Sequence, residues 1–331
     1  MKVVITGGGG MLGRKLARKL LDGILLADSD GRERTVDDLV LFDAFHLDDS
    51  LDSDDRVTIV SGDITDRATV DTLIDANTAS IFHFAAVVSG GAEADFDLGY
   101  RVNLNGLLNV LEAARATGKC PRVLFTSSLA AYGGERSIDD RTPLTPRTSY
   151  GVQKATGELL INDYTRKGFV DGRTLRLPTI VIRPGKPNKA ASGFASSILR
   201  EPLQGQRAVC PVSPETRMLI LSPSRTVEAF VHMHNLPGDD IGPARSVLLN
   251  GVSPTMAEMV EAMRAMAGDA TAGLIDWQPD SAIQLIVDEW PWFADSRRAR
   301  EFGFEADADV TEIIQAFVDE ELGGKSPDNT C

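Results

Sequence analysis

The sequence predicts an α/β chain: a doubly wound parallel sheet in the first half, followed by a smaller C-terminal substrate lobe. Three observations predict it. Up to about residue 180, short β-branched runs alternate with longer stretches of helical periodicity. Those runs are apolar throughout rather than alternating, which strands buried on both faces of a parallel sheet require. The first run leads directly into a glycine loop and then a helix, the local order of a dinucleotide-binding, Rossmann-type unit.

The elements follow in order. Val3-Val4-Ile5 is the first strand. Residues 12–21 are apolar at 12, 16, 17, 20 and 21, one face of a helix. Residues 22–38 form a charged surface excursion, longer than an ordinary connection. Strands follow at 39–42 and 57–60, separated by residues 46–56 with Asp48, Asp49, Asp52, Asp54 and Asp55. That stretch reads as a solvated acidic loop; a cation site is the alternative, but the Gly and Glu of a calcium loop are missing. A fourth strand runs over 81–84, a helix over 102–114, a strand over 122–126, a helix over 150–164 and a strand over 174–177. After residue 180 the pattern changes: Pro184, Pro187, Pro202, Pro211, Pro214 and Pro223 punctuate it, with helices at 256–267 and 310–322. The predicted division is a cofactor domain over 1–180 and a substrate lobe over 181–331, with some of the chain crossing between them. Residues 323–331 read as a frayed polar tail.

Composition bounds the partners. With 34 Lys+Arg against 48 Asp+Glu the net charge is −14. Such a surface repels phosphate backbones and anionic lipids, so neither a nucleic-acid nor a membrane surface is expected, though a cleft can still take a small anion. No apolar run approaches the roughly 20 residues of a membrane helix. The first strand begins just after Met1-Lys2, which leaves no room for a signal peptide, and the expected location is cytoplasmic. Cys120, Cys210 and Cys331 are too dispersed for a disulfide framework. The histidines at 46, 83, 232 and 234 show no ligand spacing, so no metal is expected.

Gly7, Gly10 and Gly13, in Thr6-Gly7-Gly8-Gly9-Gly10-Met11-Leu12-Gly13, have the spacing GxxGxxG. The turn must be tight, the backbone must approach a pyrophosphate, and the amides opening the helix at Met11 and Leu12 must face the phosphates. A merely tight turn is the alternative. Asp43 ends the second strand, where a carboxylate accepts from the adenosine ribose hydroxyls and repels a 2′-phosphate; this favours NAD over NADP. Arg14, just past the third glycine, weakens that preference, and Asp43 also reads as an ordinary loop residue. Asp63, with Ile64 beside it, follows the third strand and could meet the adenine amine; a helix cap is the other reading, which Thr65 or Asp66 suits better. Ala85 and Ala86 let backbone approach the cofactor, and packing explains them equally well.

Tyr150 and Lys154 stand i, i+4 at the start of a helix, so the phenol and the ammonium are neighbours. A phenol of ordinary pKa near 10 is a poor base at neutral pH, but a nearby ammonium and a positive nicotinamide ring favour the phenolate. Tyr150 is then a proton acceptor for an alcohol whose hydride leaves to the cofactor. Ser128, with Ser127 as runner-up, ends the fifth strand at the sheet edge where ligands bind, and could orient the reacting oxygen; turn formation is the alternative role.

Taken together, these segments resemble the extended short-chain dehydrogenase/reductases, the NAD-dependent epimerase/dehydratase group. The likeness rests on the glycine loop; Gly62-Asp63-Ile64-Thr65-Asp66; Phe82-His83-Phe84-Ala85-Ala86; Thr126-Ser127-Ser128 through Gly133; and Tyr150-Gly151-Val152-Gln153-Lys154 with Glu158. It covers residues 1 to about 185. The resemblance implies a sheet of about seven strands with NAD bound, Ser128, Tyr150 and Lys154 as catalytic trio, and Asn103 as the helix asparagine of the family's proton relay.

Two departures bear on the reaction. The acidic pair that nucleotide-sugar members carry in the second lobe is replaced by Ser222-Pro223-Ser224, and the strand 175–185 lacks their usual pattern. In this the chain resembles the branch that oxidises D-erythronate, a four-carbon sugar acid, at C2. A sugar acid needs a cation for its carboxylate, for which Arg183 and Arg217 are candidates; each also reads as a structural ion pair. Ser89 and Thr179 could meet substrate hydroxyls. Trp290-Pro291-Trp292-Phe293 either covers the substrate or packs in the core. The resemblance implies a homodimer through helices 102–114 and 150–164. Two rival readings stand: a nucleotide-sugar epimerase that recycles its NAD, and a non-enzymatic NAD-sensing regulator.

Overall fold

The computed structural model describes residues 1–45, 50–185 and 191–324. His46, Asp48, Asp49 and Cys331 lie outside the described residues. The chain divides into two compact units. Unit 1 comprises residues 1–131, 148–176 and 227–247; unit 2 comprises 132–147, 177–226 and 248–331. This division differs from a single cut after residue 180: residues 132–147 go with the second unit and 227–247 with the first.

Unit 1 is built on a seven-strand parallel sheet. Its strands are β1 (Lys2–Thr6), β2 (Asp38–Asp43), β3 (Val57–Ser61), β4 (Thr78–His83), β5 (Arg122–Ser128), β6 (Asp171–Leu177) and β7 (Ser246–Leu248). They lie side by side in the order β7-β6-β5-β4-β1-β2-β3. The order reverses between β1 and β4, the switch point at which such sheets bind ligands beyond their strand ends. Register there is set by Val4, opposite Val40 on one side and Ile81 on the other. Val3, Val4, Ile5, Ile81 and Phe82 are wholly buried, which is why these strands read as continuous apolar runs.

The helices of this unit are α1 (Met11–Leu21), α2 (Arg67–Leu73), α3 (Ser89–Ala94), α4 (Phe96–Tyr100), α5 (Gly106–Ala116) and α6 (Ser149–Arg166). α1 turns Gly13, Leu16, Ala17 and Leu20 inward, as its period predicts. Asp66 caps α2 by accepting from the Ala68 amide at 3.1 Å. The helix expected at 102–114 is interrupted: residues Arg101–Asn105 form a π turn before α5 begins. A core of Val4, Val40, Phe42, Ile81, Leu107, Val110, Leu111, Val123, Phe125 and Ile161 joins the sheet to α5 and α6.

At the N-terminal ends of β5 and β6 Asp171 pairs with Arg122, Arg173 and Arg245. Arg173 is fully buried, and its Nη1 donates to the carbonyls of Met233, His234 and Leu236 at 2.6–2.7 Å. These are orphan acceptors at the C-terminal end of α7 (Pro223–Asn235), where a guanidinium also complements the helix dipole.

Unit 2 packs the helices Gly193–Leu203, Met256–Ala272 and Val310–Glu321 around Ile198, Leu199, Met259, Met263, Ile314 and Phe317. The second of these opens with a capping box, Thr255 with Glu258, and is interrupted at Gly268, whose φ of +78° is non-helical, so its first segment ends where the 256–267 pattern predicts. Its strands are short parallel pairs: Thr179–Ile180 with Ile220–Leu221, Ala208–Cys210 with Ile275–Trp277, and Ser137–Asp139 with Phe293–Asp295. Among the described residues no helix is long and apolar enough to cross a membrane.

Candidate active site

The glycine loop joins β1 to α1 at the switch point. Gly7 has φ +72°, and a Cβ there would lie 2.6 Å from the Ala85 amide nitrogen, so β1 and the end of β4 meet backbone to backbone. A Cβ on Gly13 would stand 2.4 Å from the Gly7 carbonyl oxygen, the close helix–loop packing that the spacing predicts. No side chain caps α1 at Gly10, so the amides of its first turn remain for a ligand. Asp43 at the end of β2 accepts from the Gly9 amide at 2.9 Å, which brings its carboxylate to the loop. These residues fit a dinucleotide: close backbone, open helix amides for phosphate, and a carboxylate beside them for ribose. Asp63 is exposed and accepts from the Thr65 amide at 2.8 Å, leaving the α2 cap to Asp66, while Ile64 is buried. Ala85 and Ala86, half-buried, follow β4 beside Gly7.

β5 runs two residues further than its apolar pattern, to Ser128. The two serines point to different partners. Ser127 is buried and donates to Glu158, whose carboxylate also takes two prongs of Arg176, Nε at 2.9 Å and Nη2 at 2.7 Å. Ser128 is half-buried, and among the described residues its Oγ accepts from the Ala130 amide at 3.2 Å, two residues on. Ser127 is therefore committed to the interior, and Ser128 is the hydroxyl at the strand end.

α6 begins behind a Thr148 cap and carries Tyr150 and Lys154 in its first turns. Tyr150 is half-buried. Lys154 is 3% exposed; its Nζ lies 5.5 Å from the centre of the Tyr150 ring, 4.8 Å from that of Phe125, and 3.3 Å from the Thr126 hydroxyl. Burial lowers its pKa to about 7, because the charged form loses its water. His83, also buried, is lowered to about 3 by desolvation and then by the Lys154 charge, so it is neutral and bonds the Thr6 hydroxyl at 2.7 Å. Asn103, in the π turn, accepts from the Val87 amide at 2.8 Å and donates to the Val87 carbonyl at 3.0 Å. Its Nδ2 also donates to Gln153 Oε1 at 2.7 Å, a buried partner that sequence reasoning missed. Ser89 opens α3, in the same unit.

Thr179, Arg183 and Arg217 belong to unit 2. Thr179 sits in a short strand, with its amide donating to the Leu219 carbonyl at 3.0 Å. Arg183 directs its guanidinium inward, to the Ile180 carbonyl at 2.9 Å and the Ser192 hydroxyl at 2.8 Å. Arg217 is different. Its Nη1 donates to the Ser253 carbonyl at 2.7 Å and lies 3.6 Å from the Glu258 carboxylate, but its side chain is 41% exposed and its guanidinium stands 6.0 Å over the Trp292 ring. It also lines a pocket of about 250 Å³ with Arg136, Glu215, Thr216, Val287, Asp288 and Trp292. Arg136 is a second cation that the sequence did not single out. The aromatic knot is split: Trp290 packs against the unit 2 core, Trp292 lines this pocket, and Phe293 is exposed. Among the described residues no cluster of His, Cys, Asp and Glu could hold a metal ion.

The profile of the NAD dependent epimerase/dehydratase family matches residues 3–234. The chain is 50% identical to the D-erythronate dehydrogenase of Cupriavidus necator over 97% of its length and 98% of the relative's. It is 44% identical to the D-erythronate dehydrogenase of Haemophilus influenzae, over 97% and 100%. Among solved structures, a nucleoside-diphosphate-sugar epimerase from Agrobacterium tumefaciens is 42% identical and superposes with a TM-score of 0.91 over 98% of this chain and 95% of that one. The L-threonine dehydrogenase of Phytophthora infestans, at 24% identity, shares the fold with a TM-score of 0.82 over 98% and 100%. The matching profile and these whole-length relatives agree with the loop, the sheet and the Tyr-x-x-x-Lys helix: the chain belongs to the NAD dependent epimerase/dehydratase family, the extended short-chain dehydrogenase/reductases, and is an oxidoreductase.

Proposed function

We propose that this chain oxidises the C2 hydroxyl of a small sugar acid, D-erythronate or a close relative, to the 2-oxo acid. The observation that carries the chemistry is the buried Lys154 side chain beside the Tyr150 ring and 3.3 Å from the Thr126 hydroxyl of β5, the strand that ends at Ser128. The substrate class comes from the two relatives named for D-erythronate.

NAD, when bound, supplies the acceptor for the hydride that leaves C2. Gly7, Gly10, Met11, Leu12 and Gly13 hold its pyrophosphate, Asp43 its adenosine ribose, Asp63 and Ile64 the adenine, and Ala85 and Ala86 the approach to the remainder. Ser128 donates to the C2 oxygen and orients it. Tyr150 takes the C2 hydroxyl proton onto its phenolate oxygen. Lys154, from beneath, holds the nicotinamide ribose and stabilises the phenolate; its positive charge is worth more in that dry setting than in water. Asn103 fixes the neighbouring backbone at Val87 and completes the relay that returns the proton to solvent.

For the carboxylate, the two candidate arginines separate. Arg183 spends its donors on its own unit's backbone and a serine; Arg217 also donates to a carbonyl, that of Ser253, and pairs with Glu258, but its half-exposed guanidinium lines a pocket with Arg136 and Trp292. We therefore assign the carboxylate to Arg217. Ser89 and Thr179 are assigned to the substrate's other hydroxyls. A cytoplasmic homodimer, paired through the helices that carry Asn103 and Tyr150, is part of this reading.

The Agrobacterium tumefaciens structure named for an epimerase keeps a second reading open, a nucleotide sugar acted on with NAD recycled in place. Absorbance at 340 nm separates them. Purified protein with NAD and a panel of four- to six-carbon sugar acids is expected to form NADH with D-erythronate or a near relative. No NADH with any acid, under NAD or NADP, would reject the dehydrogenase reading in favour of the epimerase.

A further inference from the structure

We infer that Gln153 is a positioning residue for the reaction proposed above: it couples the helix carrying Tyr150 and Lys154 to Asn103, and through Asn103 to the loop that follows β4. The inference rests on that reaction. Gln153 lies between the two catalytic candidates in sequence, on the face of α6 that turns inward, and it is fully buried. A residue there needs only shape to fill the core, so an amide calls for another reason.

The hydrogen bonds fix how that amide is turned. The Val87 amide can only donate, so the Asn103 atom that receives it, at 2.8 Å, is the oxygen Oδ1. Asn103 Nδ2 then faces the Val87 carbonyl at 3.0 Å and Gln153 at 2.7 Å, and the atom of Gln153 that accepts is Oε1. One side-chain amide thus holds both backbone atoms of Val87 and the middle of the catalytic helix. Asn103 reaches both because the π turn at Arg101–Asn105 precedes α5.

Space for Gln153 comes from Gly99 in α4. A Cβ on Gly99 would stand 2.7 Å from Gln153 Nε2 and 3.0 Å from the Ala92 Cβ, so the glutamine's far end fills a gap that a larger residue would close. Nε2 itself is buried and has no hydrogen-bond partner among the described residues. Buried donors without acceptors are rare and costly. The position keeps an amide despite that cost, which accords with Oε1 as the working end. The link joins Val87, two residues from Ala85 beside Gly7, to the turn that presents Tyr150. A misplacement of about 1 Å between reacting groups costs as much as 100-fold in rate.

The test uses two perturbations from opposite sides. Gln153→Met keeps the length and removes the acceptor; Gly99→Ala pushes on Nε2 and leaves the acceptor chemistry intact. Each is assayed for NADH formation with D-erythronate, for NAD affinity, and for melting temperature. The inference expects kcat to fall roughly 10- to 100-fold in both variants, with KM for the acid and Kd for NAD within about threefold of the unchanged chain. A merely structural role would move the melting temperature and leave that kcat–KM split absent. A folded Gln153→Met with kcat within twofold of wild type overturns the inference. If that variant does not fold, unchanged kcat in Gly99→Ala overturns it instead. An activity-free readout separates this from failure of the proposed reaction: the Val87 amide should exchange its hydrogen at least about 10-fold faster in Gln153→Met. Unchanged exchange rejects the link even if wild type turns over no sugar acid.

Discussion

Replacing Gly13 with alanine should weaken NAD binding by roughly 30- to 150-fold, and the size follows from the loop's geometry. The new Cβ would sit 2.4 Å from the Gly7 carbonyl oxygen and 2.8 Å from the Gly8 Cα. Ordinary carbon contacts begin near 3.5 Å, so the loop or the first turn of α1 must retreat by about 1 Å. The Gly7 carbonyl accepts from the Gly10 amide at 3.0 Å, and that hydrogen bond, worth about 1 kcal/mol net, is strained by the same movement. Overpacking of a closed contact costs about 1–3 kcal/mol. Together these place the loss for a loop held in its binding geometry at about 2–3 kcal/mol, which is the stated range in Kd. Isothermal titration with NAD measures it, with circular dichroism to show that the variant is folded. Gly31→Ala is the control: Gly31, unlike Gly13, has positive φ, +77°, but nothing lies within 4 Å of its would-be Cβ, so it should lose some stability and no affinity. A folded Gly13→Ala that binds NAD within threefold of wild type would refute the assignment of this loop to the pyrophosphate.

Three further outcomes are expected. Arg217→Ala should raise KM for the sugar acid about 10- to 150-fold, the worth of a charged hydrogen bond, with kcat for NADH formation changed far less; Arg217→Lys should recover part of it, since it restores charge but not the fork. Asp171→Asn leaves Arg122, Arg173 and Arg245 without their shared counter-charge, and urea unfolding should show a loss of about 3–5 kcal/mol. Acid should destabilise the fold through His83 and His234, each lowered by burial to about 3. The unfolded histidines take up protons below their own pKa near 6.5, so the histidines' contribution to stability is whole above that pH and is lost as pH falls toward 3. At pH 5 the loss is about 2 kcal/mol per histidine, so His234→Gln should remove about 2 kcal/mol of the pH dependence between 8 and 5, to which the lowered Lys154 also contributes.

Much of the fold was legible because its signals are local. Apolar runs such as Val3-Val4-Ile5 mark strands buried on both faces, and the glycine spacing marks a tight turn whose reasons, the Gly7–Ala85 and Gly13–Gly7 contacts, are in the structure. What was not legible depended on partners distant in sequence. Nothing local to Ser127-Ser128 says which hydroxyl is committed; Glu158, itself tied to Arg176, decides it. Arg183 and Arg217 look alike as letters and each donates to a backbone carbonyl; what distinguishes them is that Arg217 is half-exposed and lines a pocket with Arg136 and Trp292. Arg136 went unseen because it enters the second unit's pocket from a segment, 132–147, that sequence order assigns to the first. The π turn ahead of α5 left no trace in the helical period of residues 102–114, since one wide turn adds a single residue, within the one- to two-residue uncertainty of a helix boundary.

The central claim is that Tyr150 accepts the proton of the substrate hydroxyl. Its most direct measurement is the steady-state rate of NADH formation from D-erythronate by Tyr150→Phe, paired with NAD affinity in the same preparation. The account predicts a fall in kcat of about 100- to 10,000-fold, the usual worth of a positioned general base, with Kd for NAD within threefold. Turnover within tenfold of wild type would contradict it and move the base to another group.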